Sequence, residues 1–410
     1  MTSVERQTLV LKEQLQFNSS SNPYLKNDTV MQNISKYFGN YEIDKLVIFQ
    51  PDLINLLLIS LFIILILASC TKNDSMVDGN ELLGVNHTNQ LKGIGIFFVV
   101  LGHLWVHLSK TKAHIVLSED AVSLFLLLSG FGLVVSNRNN TIDFKNFCMK
   151  RIKRVMIPYW KVTILILVLD YLILGRTVRV DSLMMTLIGI NTRLELEHID
   201  YVRWFVTFIL LWYILFFLFF LKFRNAYSSI SLIAIAFFLF PLNYYFFHFN
   251  WNNFFSFPAG CLLAIHHVRL STFFKKNKAV CSVAAFTGIS YVITYKLLIS
   301  TENIHSVVVA HVPNILLAFT ADVNSLIVSV FIIVITSLLI EGKYNSRLLL
   351  FLGRYSYEIF LLHGAFLIKY NPILRNHDTY PVIIEFLFFM AFISLISLPV
   401  KFPSKGVSAC

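Results

Sequence analysis

The amino-acid sequence predicts an all-α, polytopic membrane helix bundle, with about ten core transmembrane helices and one extra helix at the N-terminal end. Three observations predict it. Of 410 residues 56% are hydrophobic, 39 of them Phe, and only 14% are charged, with a mean hydropathy of +0.69; no soluble domain of this length needs so many apolar residues. A window long enough to cross a bilayer finds about eleven apolar segments. The alternation of a barrel strand is absent, so the spans must satisfy their backbone hydrogen bonds internally, as helices.

In chain order the segments lie near residues 50–70, 91–109, 114–136, 158–175, 202–222, 226–247, 253–268, 279–299, 323–340, 349–369 and 379–400. The 253–268 segment is short, and 307–319 reads as a partial or re-entrant piece. Residues 1–45 form a polar tail rich in Asn, Ser and Lys on which no domain is forced; residues 46–71 hold the extra helix, and 88–402 the membrane core. Asn27-Asp28-Thr29 and Asn33-Ile34-Ser35 fit the glycosylation acceptor pattern, which arises readily by chance in an Asn-rich stretch. The start, Met1-Thr2-Ser3-Val4-Glu5-Arg6, has no apolar run beside a basic patch, so no cleavable signal peptide is expected. Five cysteines are scattered singly, without metal-ligand spacing or a disulfide framework, so no metal site is expected.

The net charge of +11 is first explained by Lys and Arg gathering in cytoplasmic loops, and nucleic acid is not an expected partner. Arg138, Lys145, Lys150, Arg151, Lys153 and Arg154 fill one loop; Lys222 and Arg224 another; Arg269, Lys275, Lys276 and Lys278 a third; Lys343 and Arg347 a fourth; Lys401 and Lys405 the C-terminal tail. Taking these as cytoplasmic makes alternate loops consistent, puts Lys92 at the cytoplasmic surface and the C-terminus in the cytoplasm, and leaves residues 1–45 outside. The stretch 176–203, with Arg176, Arg179, Arg193 and Arg203, fits this pattern poorly.

Four places can carry chemistry. Lys92 and His103 are eleven residues apart on one segment, about 16 Å of helix, which carries an imidazole roughly to mid-membrane. An ionisable group there is a functional hypothesis by default. It competes with a core histidine bonded to a neighbouring helix and a snorkelling lysine. In Lys150-Arg151-Ile152-Lys153-Arg154, two arginines three apart share a helix face and can fork around phosphate oxygens; the alternative is an ordinary positive-inside loop. Glu358 lies about nine residues into its segment, at a depth close to that of His103. There it is either an acid/base partner of His103 or an ion-pair partner of Arg354 one turn away. His363, five residues on, serves a different purpose. In Leu128-Ser129-Gly130-Phe131-Gly132 the small residues point to close helix packing, with a site hydroxyl from Ser129 as the lesser option.

Together these pieces resemble the acyltransferase-3 family of integral membrane acyltransferases, over about residues 88–400. The resemblance rests on the basic residue and histidine of the opening helix, Lys92 and His103; Leu-Ser-Gly-Phe at 128–131; Arg151 and Arg154 before Pro158-Tyr159-Trp160; the helix start Trp204-Phe205; Phe257, Gly260 and Ala264 in order; and the run from Gly353 through Tyr355-Ser356-Tyr357-Glu358-Ile359 to His363.

The resemblance implies transfer of an acyl group, usually acetyl, from cytoplasmic acyl-CoA to a hydroxyl of an extracytoplasmic glycan such as capsule or O-antigen, in a bacterial plasma membrane. No tightly bound cofactor is implied; acyl-CoA is a co-substrate. By position, His103 is the essential histidine, Lys92 takes the family's usual arginine position, and Arg151 and Arg154, with Lys150 and Lys153, form the donor-binding loop. A lysine at 92 cannot make the planar two-pronged contact of an arginine. Ser129, Trp204, Tyr357 and His363 are substrate-facing or structural. Some members carry an extracytoplasmic esterase-like domain after the membrane core; this chain ends at Cys410, so it is expected to complete the transfer itself or hand the acyl group to a separate extracytoplasmic acyl-accepting protein.

Chemically, His103 is expected to remove the hydroxyl proton, with Glu358 orienting the imidazole; an acyl-histidine intermediate is an open variant. A proton-coupled transporter or flippase of an envelope glycan would also place His and Glu at mid-membrane, and a glycan polymerase is a third option.

Overall fold

The structure, a computed structural model, describes residues 45–72, 82–137, 143–191, 200–220, 226–247, 249, 252–300, 312–340, 344–371, 373–374 and 381–401. The sequons, all but Lys45 of the tail, and Arg138, Arg193, Lys222, Arg224, Lys343 and Lys405 lie outside the described residues.

The helices are α1 Pro51–Ala68, α2 Val85–His103, α3 Ser118–Ser136, α4 Phe144–Arg151, α5 Ile157–Leu174, α6 Val180–Leu187, α7 Trp204–Phe220, α8 Ala226–Leu242, α9 Ser256–Ile265, α10 His267–Lys276, α11 Lys278–Ser300, α12 Asn314–Ile340, α13 Arg347–Arg354, α14 Ser356–Ile368 and α15 Val382–Val400. Turns of π-helix extend α2 over Leu104–Leu108, join α4 to α5 over Ile152–Met156 and extend α8 over Asn243–Phe247. Eight helical stretches are long and apolar enough to cross a membrane, and α7, α9 and α14 are shorter apolar helices. Each of the eleven expected segments therefore coincides with an apolar helix. The chain is an all-α, multi-pass membrane protein.

Local signals set the helix ends. Pro51 opens α1 where its missing N–H costs nothing. Asp143 caps α4 by accepting from the Asn146 N–H at 3.0 Å, and Ser346 caps α13 by accepting from the Leu349 N–H at 3.2 Å. Gly175, at φ 61°, closes α5 in the left-handed conformation that glycine adopts without penalty.

Three expected elements are redrawn. The 253–268 segment breaks at His266 into α9 and the basic amphipathic α10. From Asn314 onward the supposed partial piece at 307–319 belongs to the long helix α12. The 349–369 segment breaks at Tyr355 into α13 and α14, because α13 lies hard against the start of α2. A Cβ on Gly353 would stand 1.8 Å from the Asn89 carbonyl oxygen, and one on Gly93 would stand 2.4 Å from that of Leu349. Only glycine permits that approach.

Small residues likewise bring α3 and α9 together: a Cβ on Gly130 would meet the Phe257 carbonyl at 2.2 Å and one on Gly260 that of Leu127 at 2.0 Å. Gly132 has nothing within 4 Å of the corresponding position. So of the two glycines in the Leu-Ser-Gly-Phe-Gly run, Gly130 makes the close contact. The core is largely aromatic: Trp212 stacks on Phe257 at 5.4 Å between ring centres, and Phe208 meets Phe254 at 5.1 Å.

The extra helix α1 is tied to its neighbours at both ends and in the middle. Leu46 exchanges backbone hydrogen bonds with Leu108 and Lys110 at one end. In the middle Asn55 accepts from the Trp105 indole at 2.8 Å and donates to the Ile115 carbonyl at 2.8 Å, and Phe62 stacks on Phe97 with ring centres 3.7 Å apart. At the other end β1 (Cys70–Lys72) pairs antiparallel with β2 (Tyr344–Ser346).

Candidate active site

His103 is the last α-helical residue of α2, where the backbone passes into the π-turn. Gly102 beside it lets the start of α3 approach, since a Cβ there would lie 2.2 Å from that of Ser118. Three rings surround the imidazole: His363 and Tyr201, each with its centre 5.0 Å away, and His107, stacked at 5.2 Å. His363 is fully buried, and its Nδ1 lies 2.6 Å from the Phe360 carbonyl. A carbonyl only accepts, so Nδ1 carries the proton and Nε2 of the neutral ring is an acceptor. That Nε2 and Nδ1 of His103 are both buried without a hydrogen-bond partner.

Glu358 is elsewhere. Because the segment breaks at Tyr355, Glu358 lies in the first turn of α14, five residues before His363, or about 7.5 Å along the axis. The expected pairing with His103 by equal depth is therefore corrected: the α14 group against His103 is His363. The charges nearest Glu358 are Lys401 and Lys161. Lys401 also donates to the Arg354 carbonyl and lies 4.6 Å above the Tyr355 ring.

Glu358 thus belongs to a basic end of the bundle. Lys92 has Arg154 and Lys401 as its electrostatic neighbours, so Lys92 and His103 mark the two ends of a helical path rather than one cluster. Arg151 and Arg154 have different surroundings. Arg151 points inward, its guanidinium 5.6 Å from the Phe147 ring and 5.1 Å from that of Tyr213, with Nε buried and unpartnered. Arg154 is exposed, as are Lys150 and Lys153. The π-turn at Ile152–Met156 separates the pair, because its wider winding breaks the 3.6-residue phase that puts i and i+3 on one face. Tyr357 donates to the Val155 carbonyl at 3.2 Å. Trp204 begins α7 and packs on Phe205 and Phe208. Ser129 is half-buried on α3.

Beside His103 lies a cluster of buried polar side chains, the polar chamber, that the sequence expectations did not include. Lys369 donates to both Asp170 oxygens, at 2.8 and 3.1 Å, and the Tyr370 hydroxyl donates to the same carboxylate. Arg203 is 1% exposed. Its guanidinium lies 5.0 Å from the Tyr159 ring and donates through Nη1 to Thr163 at 2.6 Å, while Nε and Nη2 have no partner. Asp200 sits against α14 where Gly364 leaves room: a Cβ there would be 2.2 Å from Oδ1. Its Oδ2 is unpartnered. Burial pushes the Asp200 carboxyl up to about 6, against the opposing pull of Arg203 and Lys369. Each unpartnered buried group of this kind costs about 1–3 kcal/mol in an empty site. Asp170 and Lys369, charged residues inside apolar segments, were the sequence signal for this chamber. Among the described residues no group of His, Cys, Asp and Glu is arranged to hold a metal ion.

The arrangement, from basic end through His103 to polar chamber, suits proton removal between a phosphate-bearing group on one side and a hydroxylic one on the other. A search against family models matches residues 88–401 to the acyltransferase-3 model, described as an acyltransferase domain. No curated protein and no solved structure matches the chain. The match leaves α1 outside it and offers nothing for a transporter or polymerase. With more than three-quarters of its length covered by that single match, the chain belongs to the acyltransferase-3 family.

Proposed function

We propose that this acyltransferase is an O-acyltransferase of the bacterial plasma membrane, moving an acetyl or related acyl group from cytoplasmic acyl-CoA to a hydroxyl of an extracytoplasmic glycan. The observation that carries the reading is the place of His103, between a basic end and a buried polar chamber about 16 Å of helix apart from Lys92. On this reading the basic end and the C-terminus are cytoplasmic. Lys92, Arg151 and Arg154 hold the phosphates of coenzyme A by charge-assisted hydrogen bonds, with Lys150 and Lys153 adding to the field at the mouth. Glu358 tempers that field beside Lys161 and Lys401.

The thioester then reaches His103 between the helices. The imidazole takes the proton of the acceptor hydroxyl as its oxygen attacks the thioester carbonyl carbon. The C–S bond breaks, and the thiolate of coenzyme A leaves and takes up the proton held by the imidazole. His363, its tautomer fixed by Phe360, presents Nε2 as an acceptor to the same space and orients the sugar through a neighbouring hydroxyl.

The test is mass spectrometry and NMR of surface glycans from cells with the wild-type protein, without it, and with His103→Ala. Loss of one ester-linked acyl group in both altered strains, at unchanged glycan amount, is the expected result. Full acylation with His103→Ala overturns the mechanism, and a glycan that accumulates inside the cell with its esters intact overturns the function.

A further inference from the structure

We infer that the cluster of buried polar groups on Asp200, Arg203 and His363 is the acceptor subsite, and that it takes an uncharged, polyhydroxylated sugar residue through two neighbouring hydroxyls. The inference rests on the acyl-transfer reading above and adds to it where the acceptor sits and what chemistry it presents.

Three features carry it. First, the unpartnered atoms are complementary to a diol. Nε and Nη2 form one edge of the Arg203 guanidinium and both lack acceptors, while Asp200 Oδ2 and His363 Nε2 lack donors. A sugar hydroxyl both donates and accepts, so two adjacent ones satisfy the guanidinium edge and the carboxylate together. All three side chains are more than nine-tenths buried.

Second, the fully buried charges already balance, the further cation Arg176 near Lys369 being only half-buried and screened by solvent. Asp170 and Asp200 face Lys369 and Arg203, with Asp170 bound to Lys369 on both oxygens. A carboxylate or phosphate ligand would bring an unmatched charge into a buried site, whereas a neutral polyol brings none. Third, the chamber adjoins the reacting centre. Asp200 rests on Gly364, the neighbour of His363, and Tyr201, between Asp200 and Arg203 in the chain, lies against the His103 ring. A hydroxyl next to the bound pair is thereby delivered to the imidazole.

The experiment uses the purified full-length protein in detergent, radiolabelled acetyl-CoA, and the host's own surface glycan freed of its esters by mild alkali. Arg203→Lys keeps the charge and removes the two-pronged edge; Asp200→Asn keeps the shape and removes the carboxylate. Both are expected to raise the glycan KM at least tenfold while leaving the acetyl-CoA KM within twofold. Thermal stabilisation by acetyl-CoA, unchanged from wild type, confirms that each variant is folded, and if Asp200→Asn misfolds the Arg203→Lys result decides. A raised acetyl-CoA KM with an unchanged glycan KM, or no change in either, overturns the assignment. Transfer to an acidic glycan that is lost when its carboxylates are reduced overturns the neutral-acceptor part. A wild-type protein that transfers nothing from acetyl-CoA instead removes the acyl-transfer reading itself.

Discussion

Replacing Asn55 by Ala tests whether the extra helix supports the centre around His103. Asn55 is 3% exposed and Trp105 1%, and Trp105 lies in the π-turn two residues beyond His103. The substitution removes the bonds to the Trp105 indole and the Ile115 carbonyl, both 2.8 Å. Each is worth about 0.5–1.5 kcal/mol net, in line with values of about 0.6 and at most about 1.7 for side-chain bonds between membrane helices. With the indole left unpartnered, the expected loss is about 2 kcal/mol, roughly thirtyfold in the folding equilibrium. Trp105→Phe removes the shared bond together with part of a buried ring and should cost about 2–3 kcal/mol. Reversible unfolding of wild type, both single variants and the double variant in bicelles closes a double-mutant cycle, for which a coupling of about 1 kcal/mol is expected. Acyl-transfer kcat should fall with Asn55→Ala while the acyl-CoA KM stays put. Strict additivity of the two substitutions, or a loss below about 0.5 kcal/mol for Asn55→Ala, refutes the reasoning.

Other consequences are as direct. Gly260→Ala should destabilise by about 1–3 kcal/mol through overpacking against the Leu127 carbonyl, whereas Gly132→Ala, with open space around it, should be neutral or gain up to about 1 kcal/mol of helix propensity; thermal denaturation of the pair separates them. Lys369→Met strands the Asp170 carboxylate and should cost about 3–5 kcal/mol, much of it restored by adding Asp170→Asn, as read by unfolding in bicelles. Arg151→Ala should raise the acyl-CoA KM about tenfold, the loss of roughly one charge-assisted contact, while Lys153→Ala, exposed on the same loop, should change it less than twofold in a steady-state assay.

The eleven apolar helices were legible because bilayer thickness imposes a length that hydropathy reports directly. The break at Tyr355 was not, because a helix can stop inside an apolar run when a neighbour's backbone presses on it, as α2 presses on α13 at Gly353, and that neighbour is distant in sequence; the break at His266 was equally hidden inside its apolar run. The same blindness misplaced Glu358: counting residues from the start of one continuous segment gave it the depth of His103, but two helices occupy that segment. His103 was found because an imidazole inside an apolar run is costly wherever it packs. Its neighbour His363 was visible as a residue but not as a contact. The poor fit of residues 176–203 to the loop-charge pattern now has a physical cause. Arg203 is buried rather than lying on a loop surface. Charge counting treats each arginine as a free surface cation, and Arg203 is not.

The extra helix is fastened to its neighbours at three levels: backbone pairing at Leu46, the Asn55 and Phe62 contacts, and the β1–β2 ladder near Ser346. A rod pinned at both ends and the middle can neither slide nor tilt against what it is pinned to. Together with α13, seated on α2 through Gly93 and Gly353, it turns one flank of the molecule into a fixed frame of reference. The long helix α12 is fastened to α2 as well, His87 Nε2 lying 3.0 Å from the Thr336 hydroxyl, so α2 is gripped on more than one side and serves as the fixed post that carries His103.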